Sequence, residues 1–425
     1  MRRFSFLVVG LGLAISACDY TSPTSSRSPS LRSDRQSHHV FRGHVFRGLF
    51  AGDSSLSDNK PILYHGGPII HAQKVAAIYW ANRAIFNGGP TPGTHGAGSS
   101  DGSLVGYFLS HLGGSPYYGI NTSYDSSGVH VQNSVTYTQF WASNTNVPSV
   151  GTTDSNPSLD AIESQIELGF SSGALTFDPN TLYLVFTDSM VDQNSLWADS
   201  ACAAHWVVNW NGNELKFATM MRAIDQHGCR IDTALPGAGS ANNDPVADDE
   251  VTLIAHETEE TNTDPETTAW WDTLYIPPYL HKWENADKCA WQFSPLYYTT
   301  GNGAKANVKI GTKDFLIQEN WVNASGWLCS LEYVTVSISG PSTITRNGTY
   351  TWTASPSGAD PSYSTTYQWS VKWLSGPNSG QTWTLGTGQS QDLGLTYPEG
   401  TFDMIVTVTN RGYSTTGVKF VYDGF

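Results

Sequence analysis

Residues 248–265 read DDEVTLIAHETEETNTDP and crowd carboxylates around one histidine, in a chain where only 14% of residues are charged. His256 and Glu260 lie four apart, and Glu257 adjoins the histidine. Residues at i and i+4 share one face of a helix, so His256 and Glu260 can reach a single metal ion together with Glu257 beside them. The sequence also predicts the helix that must position them. Asp248, Asp249 and Glu250 stand where a helix N-terminus favours negative charge. Val251, Ile254 and Ala255 give an apolar stripe. Pro265 pushes Asp264 out of the α region, so the helix ends near Thr263.

His-Glu-x-x-Glu differs by one residue from H-E-x-x-H, in which two histidines on one helix hold zinc and the first glutamate is the general base. A carboxylate oxygen binds zinc at a distance similar to imidazole nitrogen, so the exchange keeps a donor. It also adds negative charge, and the oxygen-rich set suits calcium or manganese as well. The third ligand must come from elsewhere. Asp264 is eight residues beyond His256, roughly 12 Å along a continuous helix, and contributes only if the chain turns back at TDP. Glu284, Asp287 and His281 in LHKWENADKC are better placed, and Glu284 follows at the spacing of a zinc-peptidase glutamate. The expected set is His256, Glu260 and Glu284 on zinc, Asp264 and Asp287 in reserve, and Glu257 as catalytic base. An acidic, solvent-facing helix turn with a structural histidine explains the same residues without a metal. His65, His71 and His205 are isolated and read as structural. The chain carries neither a nucleotide-binding glycine loop nor a G-x-S-x-G elbow.

The elements around this segment alternate. KVAAIYW and TLYLVFTD have the length of buried strands. SLVGYFLSHL and SLDAIESQIELGF carry apolar residues at helical spacing, the second with Leu159, Ile162, Ile166 and Phe170 on one face and Ser158 as N-cap. LKFATMMRAI fits either type. The predicted core, residues 59–332, is therefore an α/β or α+β domain. From residue 333 to 425 the texture changes to short alternating runs separated by Gly, Pro, Asn and Ser, which predicts an all-β immunoglobulin-like sandwich with Trp352 and Trp369 in its core.

The N-terminus, MRRFSFLVVGLGLAISAC, has the layout of a signal peptide over residues 1–17. Cys18 falls where a bacterial lipobox places its lipidated cysteine. Residues 18–58, rich in Ser, Pro, Arg and His, read as a tether. No later apolar run reaches the roughly 20 residues of a membrane span, so the exported chain is expected to meet the membrane only through that N-terminal lipid. In an oxidising compartment the even set Cys202, Cys229, Cys289 and Cys329 predicts disulfides, paired as nearest neighbours. A net charge of -15 argues against nucleic acid as partner.

From YHGGPII (64–70) to SGWLCS (325–330) the chain resembles the phosphate-induced protein 1 family, also called EXORDIUM-like. The matching pieces are YHGGP, VAAIYWAN, LVGYFLSHL, LYLVFTDSMV, ACAAHWVVNWNGNELKFA, CAW and KDFLIQENWVN. The resemblance implies a secreted or cell-wall-associated protein. It points to a bacterial branch in which a zincin-like segment similar to HETEETNTDPETTAWWD, followed by ENADKC, recurs. The expectation is an exported, lipid-anchored protein with a metal-dependent, peptidase-like hydrolase site acting on an extracellular polypeptide. The alternative is a non-catalytic protein binding a cell-wall polymer or glycan, with a structural metal site.

Overall fold

The computed structural model describes residues 40–47, 60–149, 157–189, 191, 201–225, 227–276, 279–293, 297–324, 328–396 and 400–423. The expected signal peptide, the expected lipidation site Cys18 and most of the expected tether lie outside these residues. Strands dominate and helices are few.

Seven strands build the central sheet: β1 (Arg42–Arg47), β2 (Gln73–Trp80), β3 (His95–Ala97), β4 (Val135–Ser143), β5 (Thr181–Thr187), β6 (Ala201–Trp210) and β7 (Asn213–Met220), in the order β1-β6-β7-β5-β2-β4-β3. The middle strands β7, β5, β2 and β4 run parallel. Antiparallel neighbours extend the sheet at both sides. The expected strands at KVAAIYW and TLYLVFTD are β2 and β5, and the ambiguous LKFATMMRAI lies largely in strand β7. It is fixed as a strand by the hairpin from β6, whose turn residues Asn211 and Gly212 both have positive φ, the geometry an Asn-Gly hairpin turn needs.

Both faces of the sheet are covered, which is why its strands read as continuous apolar runs. Val75, Ala77 and Tyr79 pack with α1 (Leu104–Leu112) and α4 (Pro245–Thr263). Ala76, Ile78 and Trp80 pack with Ile162 and Ile166 of α2 (Leu159–Ser172) on the other face. Ser103 and Ser158 cap α1 and α2 by accepting the amides of Gly106 and Ala161. A short α3 (Ile231–Ala234) precedes α4.

Strand β1 corrects the expected tether. Residues 42–47 pair with β6, and Phe46 is buried. The segment repeats itself, HVFRG at 39–43 and again at 44–48. Five is an odd number, so an extended chain puts the two phenylalanines on opposite faces of the sheet. Phe41 meets Phe217 on the α2 side, and Phe46 joins the cluster on the α4 side. No single-face pattern results, so the stretch reads as unstructured until its partner strand is known.

Beyond residue 334 two antiparallel-rich sheets pack face to face. One holds β10 (Thr335–Ser339), β11 (Gly348–Ser357) and β14 (Ser390–Leu395). The other holds the two-residue strand Thr343–Ile344 together with β12 (Thr365–Trp373), β13 (Thr382–Thr384), β15 (Phe402–Asn410) and β16 (Tyr413–Asp423). Trp352 and Trp369 fill their shared core with Trp373, Phe402 and Met404. Tyr413 ties this unit to the first through a 2.6 Å hydrogen bond to Glu319.

Cys202 is bonded to Cys229 and Cys289 to Cys329. Closing loops of 27 and 40 residues limits the unfolded chain by about 3.5–4 kcal/mol each on a chain-entropy model. Both bonds are compatible with an extracellular protein. Among the described residues no helix is long and apolar enough to cross a membrane.

Candidate metal centre

Helix α4 starts at Pro245 behind Asp244, whose side chain accepts the amide of Ala247, and ends at Thr263 as expected from Pro265. It is not a solvent-facing acidic helix. Every residue from Glu250 to Thr263 is buried, including all four glutamates. Such a helix needs a polar partner for each buried charge, and its two polar faces find different ones.

The face carrying Glu259 meets amides. Asn320 donates to the Glu259 carboxylate at 2.7 Å, while Asn121 and Asn285 donate to its carbonyl. Asn262 is drawn into the same network and anchors Ile70. This arrangement fixes the helix and offers no ligand set.

The other face carries His256, Glu257 and Glu260, and it meets more acid and another histidine. Glu260 is the hinge. Its Oε1 lies 2.9 Å from His256 Nε2, and its Oε2 lies 3.5 Å from His205 Nδ1. Asp287 Oδ1 stands 3.6 Å from His256 Nε2, so His256, Glu260 and Asp287 form one group of three convergent donors. His205, Glu257 and Glu260 form a second, with His205 Nδ1 3.2 Å from Glu257. Glu284 adjoins this second group, 3.7 Å from His205 Nε2.

The downstream carboxylates return by a hairpin. Strands β8 (Trp270–Ile276) and β9 (Tyr279–Trp283) carry the chain away from the end of α4 and back. Asp287 then accepts the backbone amide of Glu284 and donates its own amide to Glu260 Oε1, folding the 284–287 turn onto the helix. The bond between Cys289 and Cys329 holds this turn from behind, and Cys202 sits three residues before His205 on β6.

Three sequence expectations change here. Asp287, not Glu284, shares the donor group of His256 and Glu260, while Glu284 faces His205. Asp264 joins neither group. Its carboxylate accepts the amide of Ala269 at 2.5 Å and closes the turn after the helix. His205, read as structural, stands inside the cluster. Its signal was an imidazole in the middle of ACAAHWVVNW, a run buried on both sides of its strand, where a polar ring needs a partner. His281 lies in β9 opposite Leu274, and its side chain is outside the described residues. His65 is exposed and His71 half-buried; both contact backbone carbonyls and join neither donor group.

The electrostatics of the cluster are unbalanced. Burial opposes charge on His205, yet Glu257 and Glu260 outweigh it and raise its pKa to about 10. His256 is raised in the same way, burial being overcome by Glu260, Asp287 and Glu257. Burial, with Asp264, Glu260, Asp287 and Glu257 nearby, pushes Glu284 well above the usual carboxylate range. Glu260 stays low despite burial and Asp287, because both imidazoles face it. Four carboxylates (Glu257, Glu260, Glu284, Asp287) stand against two imidazoles, and a divalent cation on His256 would take the place of that ring's proton beside Glu260 and Asp287. Among the described residues, His256 Nε2, Glu257 Oε1 and Glu260 Oε2 are buried and make no hydrogen bond. The donor set and these orphaned atoms fit a metal ion.

Gln318 controls one donor. Its amide nitrogen lies 3.0 Å from both His256 Nδ1 and the Ala286 carbonyl, and a carbonyl can only accept. In this arrangement the amide donates to Nδ1, and Nε2 faces Glu260. Turning the amide over would offer its oxygen to an Nδ1 proton and free the Nε2 lone pair.

Further along α4, Glu250 provides a pH test independent of the cluster. It is buried, accepts the amide of Ala223, and burial raises its pKa to about 8 against the pull of Ala223 and Arg222. The folded chain therefore holds this proton more tightly than the unfolded chain. Its contribution is complete below the unfolded carboxylate pKa and is lost as pH rises toward about 8. Glu250→Gln is expected to leave thermal stability at pH 5 unchanged and to raise Tm at pH 8 by about 3–6 °C. Melting curves of both proteins across this range check it.

No protein-family model matches the chain, and no curated protein matches it. Among solved structures it has faint likenesses to a β-glucosidase from Listeria innocua. The glucose complex is 9% identical with a TM-score of 0.14, covering 86% of this chain and 48% of that one. The isofagomine complex is 9% identical with a TM-score of 0.14, covering 85% and 49%. The chain spans about half the length of these proteins. Likeness at this level establishes neither a shared fold nor a shared activity.

Proposed function

We propose that the chain is an exported, metal-dependent hydrolase of peptidase-like type, with a divalent ion, zinc in the first place, held by His256, Glu260 and Asp287. The observation that carries this reading is the convergence of His256 and Asp287, and of His205 and Glu257, on Glu260, with Glu284 beside His205 and all but Asp287 buried. A zincin-like role for α4, an immunoglobulin-like label for the second unit and membership of an EXORDIUM-like bacterial branch belong to the same proposal.

A bound metal of this kind supplies a water of lowered pKa and polarises a carbonyl. The chain's own groups then divide the remaining work. Glu257, one residue from His256, takes the proton of the attacking water at its carboxylate. His205 keeps Glu257 oriented through the 3.2 Å contact and, as a cation, stabilises negative charge developing beside it. Glu284 lies on the far side of His205, 3.7 Å from its Nε2.

The burial of all but Asp287 supports a second reading, a closed structural metal site in a wall- or glycan-binding protein. Turnover separates the two. The first reading expects cleavage within a quenched-fluorescent peptide library by the purified chain, tested intact and after a cut between Arg47 and Lys60, lost with a chelator and restored by zinc. Metal binding with no cleavage in either form supports the second.

A further inference from the structure

Strand β1 has the character of a ligand seated on the sheet. It is the terminal strand, touching the sheet through β6 alone in the strand order, and residues 48–59 separate it in sequence from the next described residue, Lys60. Its backbone pairs antiparallel with β6, Arg42 opposite Val207 and Phe46 opposite Ala203, as an extended peptide adds to a sheet edge.

Three side-chain positions give this pairing specificity. Phe46 is buried and stacks on the His256 ring at 3.7 Å between centroids, and on Trp291 at 5.0 Å. It therefore covers the one helix imidazole of the candidate metal centre. A methyl group on Gly43 would collide with the Trp206 ring and approach the His205 carbonyl oxygen to 2.5 Å, so only glycine fits there. Arg42 reaches Glu214 at 3.1 Å and Glu266 at 3.8 Å. The pattern is Arg-Gly-x-x-Phe: a cation in an acidic notch, a residue without a side chain at the tightest approach, and an aromatic ring over His256.

We infer that the edge of β6 covered by β1 is a binding groove for an extended polypeptide of the form Arg-Gly-x-x-aromatic, and that residues 42–47 occupy it in cis as a built-in competitor. Binding in the groove stands without a metal. That a peptide bound there is also the substrate rests on the hydrolase reading, in which displacing β1 uncovers His256.

The test uses the full chain carrying a recognition site for a specific protease between Arg47 and Lys60. After the cut, a fluorescent peptide of residues 40–47 is titrated into the metal-free protein. The expected result is saturable binding that displaces the cut fragment. Gly43→Ala and Phe46→Ala peptides should each bind about tenfold more weakly or worse, a loss of at least about 1.4 kcal/mol. Equal binding of these variants, or no exchange of the fragment, would overturn the inference. So would loss of the cooperative thermal transition on cutting, which would make β1 part of the core. A second measurement avoids the cut. In the uncut chain, Phe46→Ala should speed hydrogen exchange about tenfold or more at the β6 amides while leaving α2 and β5 unchanged. Faster exchange throughout the sheet would also count against a separable strand. Because both arms are run without metal, their failure leaves the metal reading untouched.

Discussion

Glu260→Gln is expected to remove tight divalent-metal binding from the whole chain. Glu260 is the residue that belongs to both donor groups, with one oxygen 2.9 Å from His256 and the other 3.5 Å from His205. The amide keeps the size of the side chain and can still accept the Asp287 backbone amide, so the helix should survive. It cannot supply the negative charge. If three protein ligands share an apparent binding free energy of about 10–16 kcal/mol, losing one weakens affinity by about 300- to 8000-fold. Glu259→Gln, one residue away on the amide-lined face, is the matched control and should bind as the parent does. Titration calorimetry with zinc on the three proteins distinguishes a ligand role from the loss of any buried acidic side chain of the helix; burial holds Glu259 well above the usual carboxylate range, so its substitution tests packing rather than charge.

Glu257→Gln separates binding from chemistry. Glu257 lies outside the group formed by His256, Glu260 and Asp287, so the metal should remain. If Glu257 accepts the proton of the attacking water, the amide cannot replace it, and turnover should fall by about 10²- to 10⁴-fold. A second readout is independent of turnover. Once burial is set aside, Glu257 is the foremost influence raising the His205 pKa. In the metal-free variant the His205 ring should therefore titrate at a lower pH than in the parent, visible in its imidazole NMR signals. Unchanged turnover with a shifted His205 would leave Glu257 a positioning role and give the base to another group.

What could be read from the sequence was local. Helix α4 was legible because its apolar stripe, acidic start and Asp264-Pro265 stop all lie within its own residues. The same holds for the Ser158 cap, the apolar runs of β2 and β5 and the alternating strands beyond residue 334. The cysteine pairs follow nearest-neighbour order. The misread features depend on partners distant in the chain. His205 joins Glu257 only because β6 passes under α4, 52 residues upstream. Asp287 replaces Glu284 beside His256 because its own side chain folds the 284–287 turn, a detail that spacing along the chain does not encode. The HVFRG repeat showed no strand period because its phenylalanines serve opposite faces of a sheet whose edge is built some 160 residues later.

Metal content tests the central claim most directly. The full chain and its Glu260→Gln and Glu259→Gln variants are equilibrated with zinc, freed of loose ions by gel filtration, and measured by inductively coupled plasma mass spectrometry. The account predicts about one zinc per chain for the parent and for Glu259→Gln, as a single tetrahedral site would take, and close to none for Glu260→Gln. A parent chain that emerges without metal, or a Glu260→Gln chain that holds as much as the parent, would contradict it.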